Sequence, residues 1–164
     1  MNIGWIFLIV FGGIIYFSIM IIPIYRANQR YKQLKQETYT KIDTIITQKK
    51  EINTIIFFST LNKYKCLNRI DKISIKRKGI YILHNKTKNK YYVGQAHDLI
   101  KRVKSHFTGF GNGKIYHDCK NKDYFTIKLV PSNQLNKLEK ETIWYLKQNH
   151  QKLYNDIKYD NYLK

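Results

Sequence analysis

The chain has 164 residues, with 30 Lys and Arg against 11 Asp and Glu, a formal charge of +19. This length holds one domain plus an appendage, and the charge exceeds what solubility requires, so the natural partner is a polyanion, either nucleic acid or an anionic membrane surface. The two cysteines, Cys66 and Cys119, form no CxxC pair, which argues against a disulfide framework and against a zinc site.

From Ile3 to Tyr25 no residue is charged, and Ile, Phe, Val and Met dominate. At about 1.5 Å per residue such a helix crosses a hydrocarbon layer of about 30 Å. Residues 1–25 are therefore expected to be a transmembrane helix. A cleaved signal peptide fits less well, because no basic segment precedes the run and no Ala-x-Ala-like site follows it. Arg26, Arg30, Lys32 and Lys35 come directly after the run. By the positive-inside rule the amino terminus is outside and the remainder cytoplasmic, giving a single-pass protein of the cell membrane.

Residues 26–77 read as a helical stalk and linker. No Gly or Pro interrupts Ala27 to Leu61, and Ile42, Ile45, Ile46, Ile52, Ile55 and Ile56 recur near three-and-four spacing. Such a stripe suits either a short coiled coil, and with it a homo-oligomer, or a face that docks on the domain.

The domain is expected over residues 78–164. Gly79 to Leu83 and Lys90 to Gly94 are two runs rich in Ile, Tyr and Val around a polar connection, a hairpin signature. From Asp98 the period turns helical: Leu99, Val103 and Phe107 share one side, while Arg102 and His106, spaced i and i+4, share a neighbouring one. A glycine-rich loop, Thr108 to Gly113, and a short helix over Ile115 to Asp118 follow. Tyr124 to Val130 alternates as a third strand, ended by Pro131. Ser132 or Asn133 can cap a helix running to about Gln148. The expected fold class is α/β, a small three-stranded antiparallel sheet flanked by helices, preceded by the transmembrane helix and the stalk.

The ordered set Gly79-Ile80-Tyr81, Tyr92-Val93-Gly94, Arg102, His106, Glu141 and Asn155 resembles the GIY-YIG nuclease family over about Lys78 to Ile157. The resemblance implies an endonuclease that hydrolyses DNA phosphodiester bonds with one divalent cation, Mg2+ or Mn2+. It also implies roles. Tyr81 takes a proton from the attacking water, with Arg102 favouring its phenolate, and Tyr92 supports the constellation through its hydroxyl. Arg102 clamps the scissile phosphate, His106 aids water activation or phosphate binding, and Asn155 braces the site. Glu141 holds the metal, with Glu139 as the alternative. On the helix itself the two acids lie at opposite margins of the inward side formed by Leu135, Leu138, Thr142, Tyr145 and Leu146.

Lys101, Lys104, Lys114 and Lys120 add a surface for sequence-independent phosphate contacts. A tethered nuclease would meet incoming or foreign DNA at the membrane. Two other readings stay open: a membrane-tethered nucleic-acid-binding module without catalysis, and a structural membrane protein assembled through its stalk.

Overall fold

The computed structural model describes the backbone of residues 3–67 and 78–155 and the side chains of residues 18–61 and 78–155. The chain separates into two units, one ending at Thr40 and one beginning at Lys41. A single helix, α1 (Ile3–Gln48), crosses that division with Pro23 inside it, so no break separates the expected span from the expected stalk. Ile19, Met20, Ile21, Ile22, Ile24 and Tyr25 are exposed on it. Among the described residues no helix is long and apolar enough to cross a membrane. Most of the apolar run, residues 1–17, lies outside the residues whose side chains are described.

The stalk is not one helix either. After α1 the chain forms a two-residue strand, β1 (Ile52–Asn53), and then α2 (Thr54–Leu67). Asn53 starts α2, its Oδ1 accepting the Ile55 N–H at 2.8 Å, the usual way a short polar side chain satisfies a free helix-end donor. The isoleucine stripe is split by this break. Ile42 is fully buried in the second unit and Ile46 lines a small cavity with Ile82 and His84, whereas Ile55 and Ile56 are exposed. The docking alternative thus describes Ile42 and Ile46, and no coiled coil is seen among the described residues.

The hairpin is present as β2 (Gly79–Asn85) and β3 (Lys90–Ala96), with Tyr81 opposite Gly94 and Leu83 opposite Tyr92. Two more helices follow, α3 (Leu99–Phe107) and α4 (Gly113–Lys120), then β4 (Phe125–Pro131), antiparallel to β2. Helix α5 (Leu135–Gln148) and a two-residue strand, β5 (Lys152–Leu153), close the domain. The sheet has five strands rather than three, in the order β1-β4-β2-β3-β5, and it is mixed, because β5 runs parallel to β3. The central three are the expected ones. The edge strands are too short to show an alternation in sequence, and they exist because β4 and β3 leave backbone groups to be paired.

Successive side chains on a strand point to opposite faces. Tyr81, Leu83, Ile127 and Phe125 pack with Leu99, Val103 and Phe107 of α3, Ile115 of α4, and Phe57 of α2. Burying a side chain the size of Phe57 stabilises by roughly 1.5–3 kcal/mol, so α2 belongs to the domain. On the other face Ile80, Ile82, Val93 and Val130 are buried. Here α5 packs, its Asn136 Oδ1 accepting from the Gln95 Nε2 at 2.6 Å. The end of α1 lies on this face as well, with Asp43 accepting from the Tyr145 hydroxyl at 2.5 Å and Lys128 Nζ donating to the Ile46 carbonyl. Covered by the sheet on one side and α1 on another, α5 is buried at every position from Glu141 to Leu146, more than its own periodicity predicts.

Candidate active site

Two residues on the first face come from the hairpin. Tyr81 is fully buried, and its hydroxyl lies over the Cα of Gly94, its cross-strand neighbour. A Cβ at Gly94 would stand 2.5 Å from the Tyr81 Cζ, so only glycine leaves room for the phenol. Tyr92, two residues before Gly94, reaches the same face, its ring centroid 6.1 Å from that of Tyr81.

Helix α3 supplies the other two. Asp98 caps it, Oδ1 accepting the Lys101 N–H at 2.9 Å. The apolar side, Leu99, Val103 and Phe107, is buried, which turns His106 down onto the phenols and leaves Arg102 at the surface. His106 is fully buried, with Nε2 2.7 Å from the Tyr81 hydroxyl and its ring 4.9 Å from that of Tyr92. Its other nitrogen, Nδ1, accepts the Asn112 N–H at 2.9 Å. A nitrogen that accepts a backbone N–H carries no proton, so in neutral His106 the proton sits on Nε2 and is donated to Tyr81.

The electrostatics follow from burial and from Arg102. Burial, reinforced by Arg102, drops His106 to about 4, so it is neutral at physiological pH. Burial, reinforced by Tyr92, pushes the Tyr81 hydroxyl above its ordinary value. The guanidinium of Arg102 acts in the expected direction, favouring phenolate, and is outweighed by that burial. Partial burial pulls Arg102 down, but the neighbouring hydroxyls of Tyr81 and Tyr92 more than offset this and raise it.

Asn155 acts on the backbone. Its Oδ1 accepts the Val93 N–H at 2.9 Å and its Nδ2 donates to the Val93 carbonyl at 2.7 Å. It thereby continues the pairing that β5 begins, and fixes the strand segment between Tyr92 and Gly94.

Glu141 does not join the phenols. It sits on α5, against the opposite face of the sheet, 3% exposed, and Oε2 accepts from Lys41 Nζ at 2.8 Å, with Lys137 3.9 Å from Oε1. The cause is helical phase: the margin of α5 that bears Glu141 is the one covered by α1. Glu139, at the other margin, is half-buried and near Gln95, the residue after Gly94. Burial raises its carboxyl above the ordinary value, against the opposing influence of Gln95 and Lys140. Beside it, Gln95, His97, Asn133, Asn136 and Lys137 help line an open cleft of about 550 Å³.

Among the described residues no three His, Cys, Asp or Glu side chains gather as a metal-binding group. Mg2+ asks for less, since it keeps several waters and takes one or two protein carboxylates. The other histidines stand apart from the phenols. His84 is stacked on Tyr91 at 3.9 Å, and His117 contacts Asn121 and Asp118.

The sequence missed the holder of His106. Gly111 lies against the imidazole, where a Cβ would be 2.6 Å from Nδ1, and Asn112 bonds the ring while its own side chain caps α4. The available signal was an asparagine just before a helical segment, inside a loop that otherwise reads as flexible.

No curated protein and no solved structure matches the chain. Residues 77–155, the segment that carries Tyr81, Tyr92, Arg102, His106, Glu139, Glu141 and Asn155, match the family model of the GIY-YIG catalytic domain.

Proposed function

We propose that this domain is a nuclease hydrolysing DNA phosphodiester bonds with a divalent cation, Mg2+ or Mn2+. The observation that carries the reading is the meeting of two phenols, an imidazole and an exposed guanidinium on one face of the sheet, within a segment that matches a nuclease domain.

In this reading the planar, permanently charged fork of Arg102 binds two oxygens of the scissile phosphate. His106 donates to the Tyr81 oxygen, and the neighbouring Arg102 guanidinium favours its phenolate. That phenolate takes a proton from water as the water oxygen bonds to phosphorus, and the bond from phosphorus to the leaving oxygen breaks. Burial of Tyr81 opposes its ionisation, so hydrolysis quickens as pH rises. Tyr92 orients Arg102, and Asn155 holds β3 in place beneath both rings.

A divalent cation, when bound, neutralises charge developing on the phosphoryl and leaving oxygens. Of the two acids on α5, both on the side of the sheet away from the phenols, Glu139 is the better oxygen ligand, being half-buried and without an ion pair among the described residues. Glu141 fits poorly, because Lys41 already neutralises it.

The finer reading is a domain tethered to the cell membrane by the apolar run of residues 1–25, with the amino terminus outside and the nuclease in the cytoplasm, acting on incoming or foreign DNA. It is supported by that run and by Arg26, Arg30, Lys32 and Lys35 behind it.

The test is full-length protein incubated with supercoiled plasmid, with and without Mg2+, beside Tyr81→Phe and Arg102→Ala. Cation-dependent nicking that falls at least ~100-fold in both variants is expected. DNA retained without cleavage in any divalent cation would leave a binding module instead. For the tether, deleting residues 1–25 should move the protein out of the membrane fraction; retention there would refute it.

A further inference from the structure

The loop between α3 and α4 carries a large apolar side chain that the proposed chemistry does not use. Phe110 is 86% exposed, more than any other large hydrophobic side chain among the described residues. Left in water, that ring forfeits the burial which brings most phenylalanines inside. Its backbone is nevertheless held. The Phe110 N–H donates to the Ser105 carbonyl at 3.0 Å, and Gly109, at φ +90°, rests on the Tyr116 ring. On its other side Gly111 abuts His106, and the Asn112 N–H bonds the same imidazole. The residue is therefore held by its backbone beside the candidate site, flanked by the two glycines, with its ring in solvent.

The stretch of chain around it is cationic. Between Asp98 and Asp118 the chain has no acidic residue and carries Lys101, Arg102, Lys104 and Lys114. An exposed aromatic ring in so basic a stretch matches the chemistry of a nucleotide, whose base stacks on the ring while its phosphate meets a cation. An apolar protein partner would meet only one side chain here and would have to desolvate the cations.

We infer that Phe110 stacks on, or wedges beside, a base next to the phosphate held at Arg102, unstacking the DNA there. The inference rests on the nuclease reading for its substrate class only; it requires DNA binding at this face and no hydrolysis. Stacking is indifferent to base identity, so Phe110 favours sites where unstacking is easy, such as unpaired, nicked or pyrimidine–purine steps, over stiff duplex.

The experiment uses full-length protein in EDTA with a short DNA duplex containing 2-aminopurine, read by anisotropy for affinity and by 2-aminopurine fluorescence for unstacking. Wild type should raise the fluorescence on binding. Phe110→Ala should abolish that rise and weaken binding roughly 5- to 100-fold with an unchanged salt slope, because no phosphate contact is lost. Phe110→Trp should keep both signals, and its tryptophan emission should be quenched by DNA. A Phe110→Ala protein that binds and unstacks like wild type overturns the inference, as does a weakened one whose salt slope has changed, or a wild type with no affinity for DNA. If unstacking depends on Phe110 but no cation supports cleavage, the inference stands and the hydrolysis reading fails. Cleavage indifferent to Phe110, without a fluorescence change, is the reverse.

Discussion

The two carboxylates of α5 separate most sharply under paired substitution. Glu141→Gln removes a charge that is 4% exposed at its side chain and 2.8 Å from Lys41. Breaking a fully buried pair from one side costs about 3–5 kcal/mol. Here the surviving partner is Lys41, 48% exposed, which recovers most of its hydration, and glutamine keeps the size of the side chain. The loss is therefore about 1–2 kcal/mol, most of it the loosened grip of α1 on α5. At roughly 4 °C per kcal/mol for a unit of this size, Tm falls by about 4–8 °C. Cleavage per folded molecule should stay within about threefold of wild type. Glu139→Gln works the other way: it removes a charge disfavoured by burial, so Tm holds or rises slightly, while cleavage falls about 10²–10³-fold, the scale of losing one charge-stabilising group. Calorimetry and plasmid nicking across a Mg2+ titration measure both. Glu141→Gln dead at unchanged Tm, with Glu139→Gln active, would refute the reasoning from burial and pairing.

Two further outcomes follow from the site's geometry. Gly94→Ala puts a Cβ into the Tyr81 ring. The phenol must leave its 2.7 Å contact with His106, so kcat should drop about 100-fold, with a loss of roughly 1–3 kcal/mol in stability from overpacking; activity within twofold of wild type would show that the phenol is not held there. His106 is at about 4 in the folded chain against an ordinary 6.5, so below pH 6.5 the unfolded state binds the extra proton. Its contribution, on the order of 3 kcal/mol, is fully present above pH 6.5 and is lost as pH falls toward 4. Urea unfolding between pH 7 and 4 should show this slope, and His106→Gln should flatten it.

What the sequence determined by itself is local. The hairpin and α3 are written in short-range alternation and helical spacing, so Tyr81, Tyr92, Arg102 and His106 reach one face once the strands pair. What only the tertiary structure decided depends on partners distant in the chain. Lys41 takes Glu141 from 100 residues away, the two-residue strands β1 and β5 exist only against β4 and β3, and α5 is buried around most of its girth because α1 covers the side that the sheet does not. A helix's own periodicity states which side is apolar, but not which of two flanking acids will find a cation and which will be left without one. That choice is made by whatever packs beside the helix, and here the packing element lies outside the segment that carries the motif.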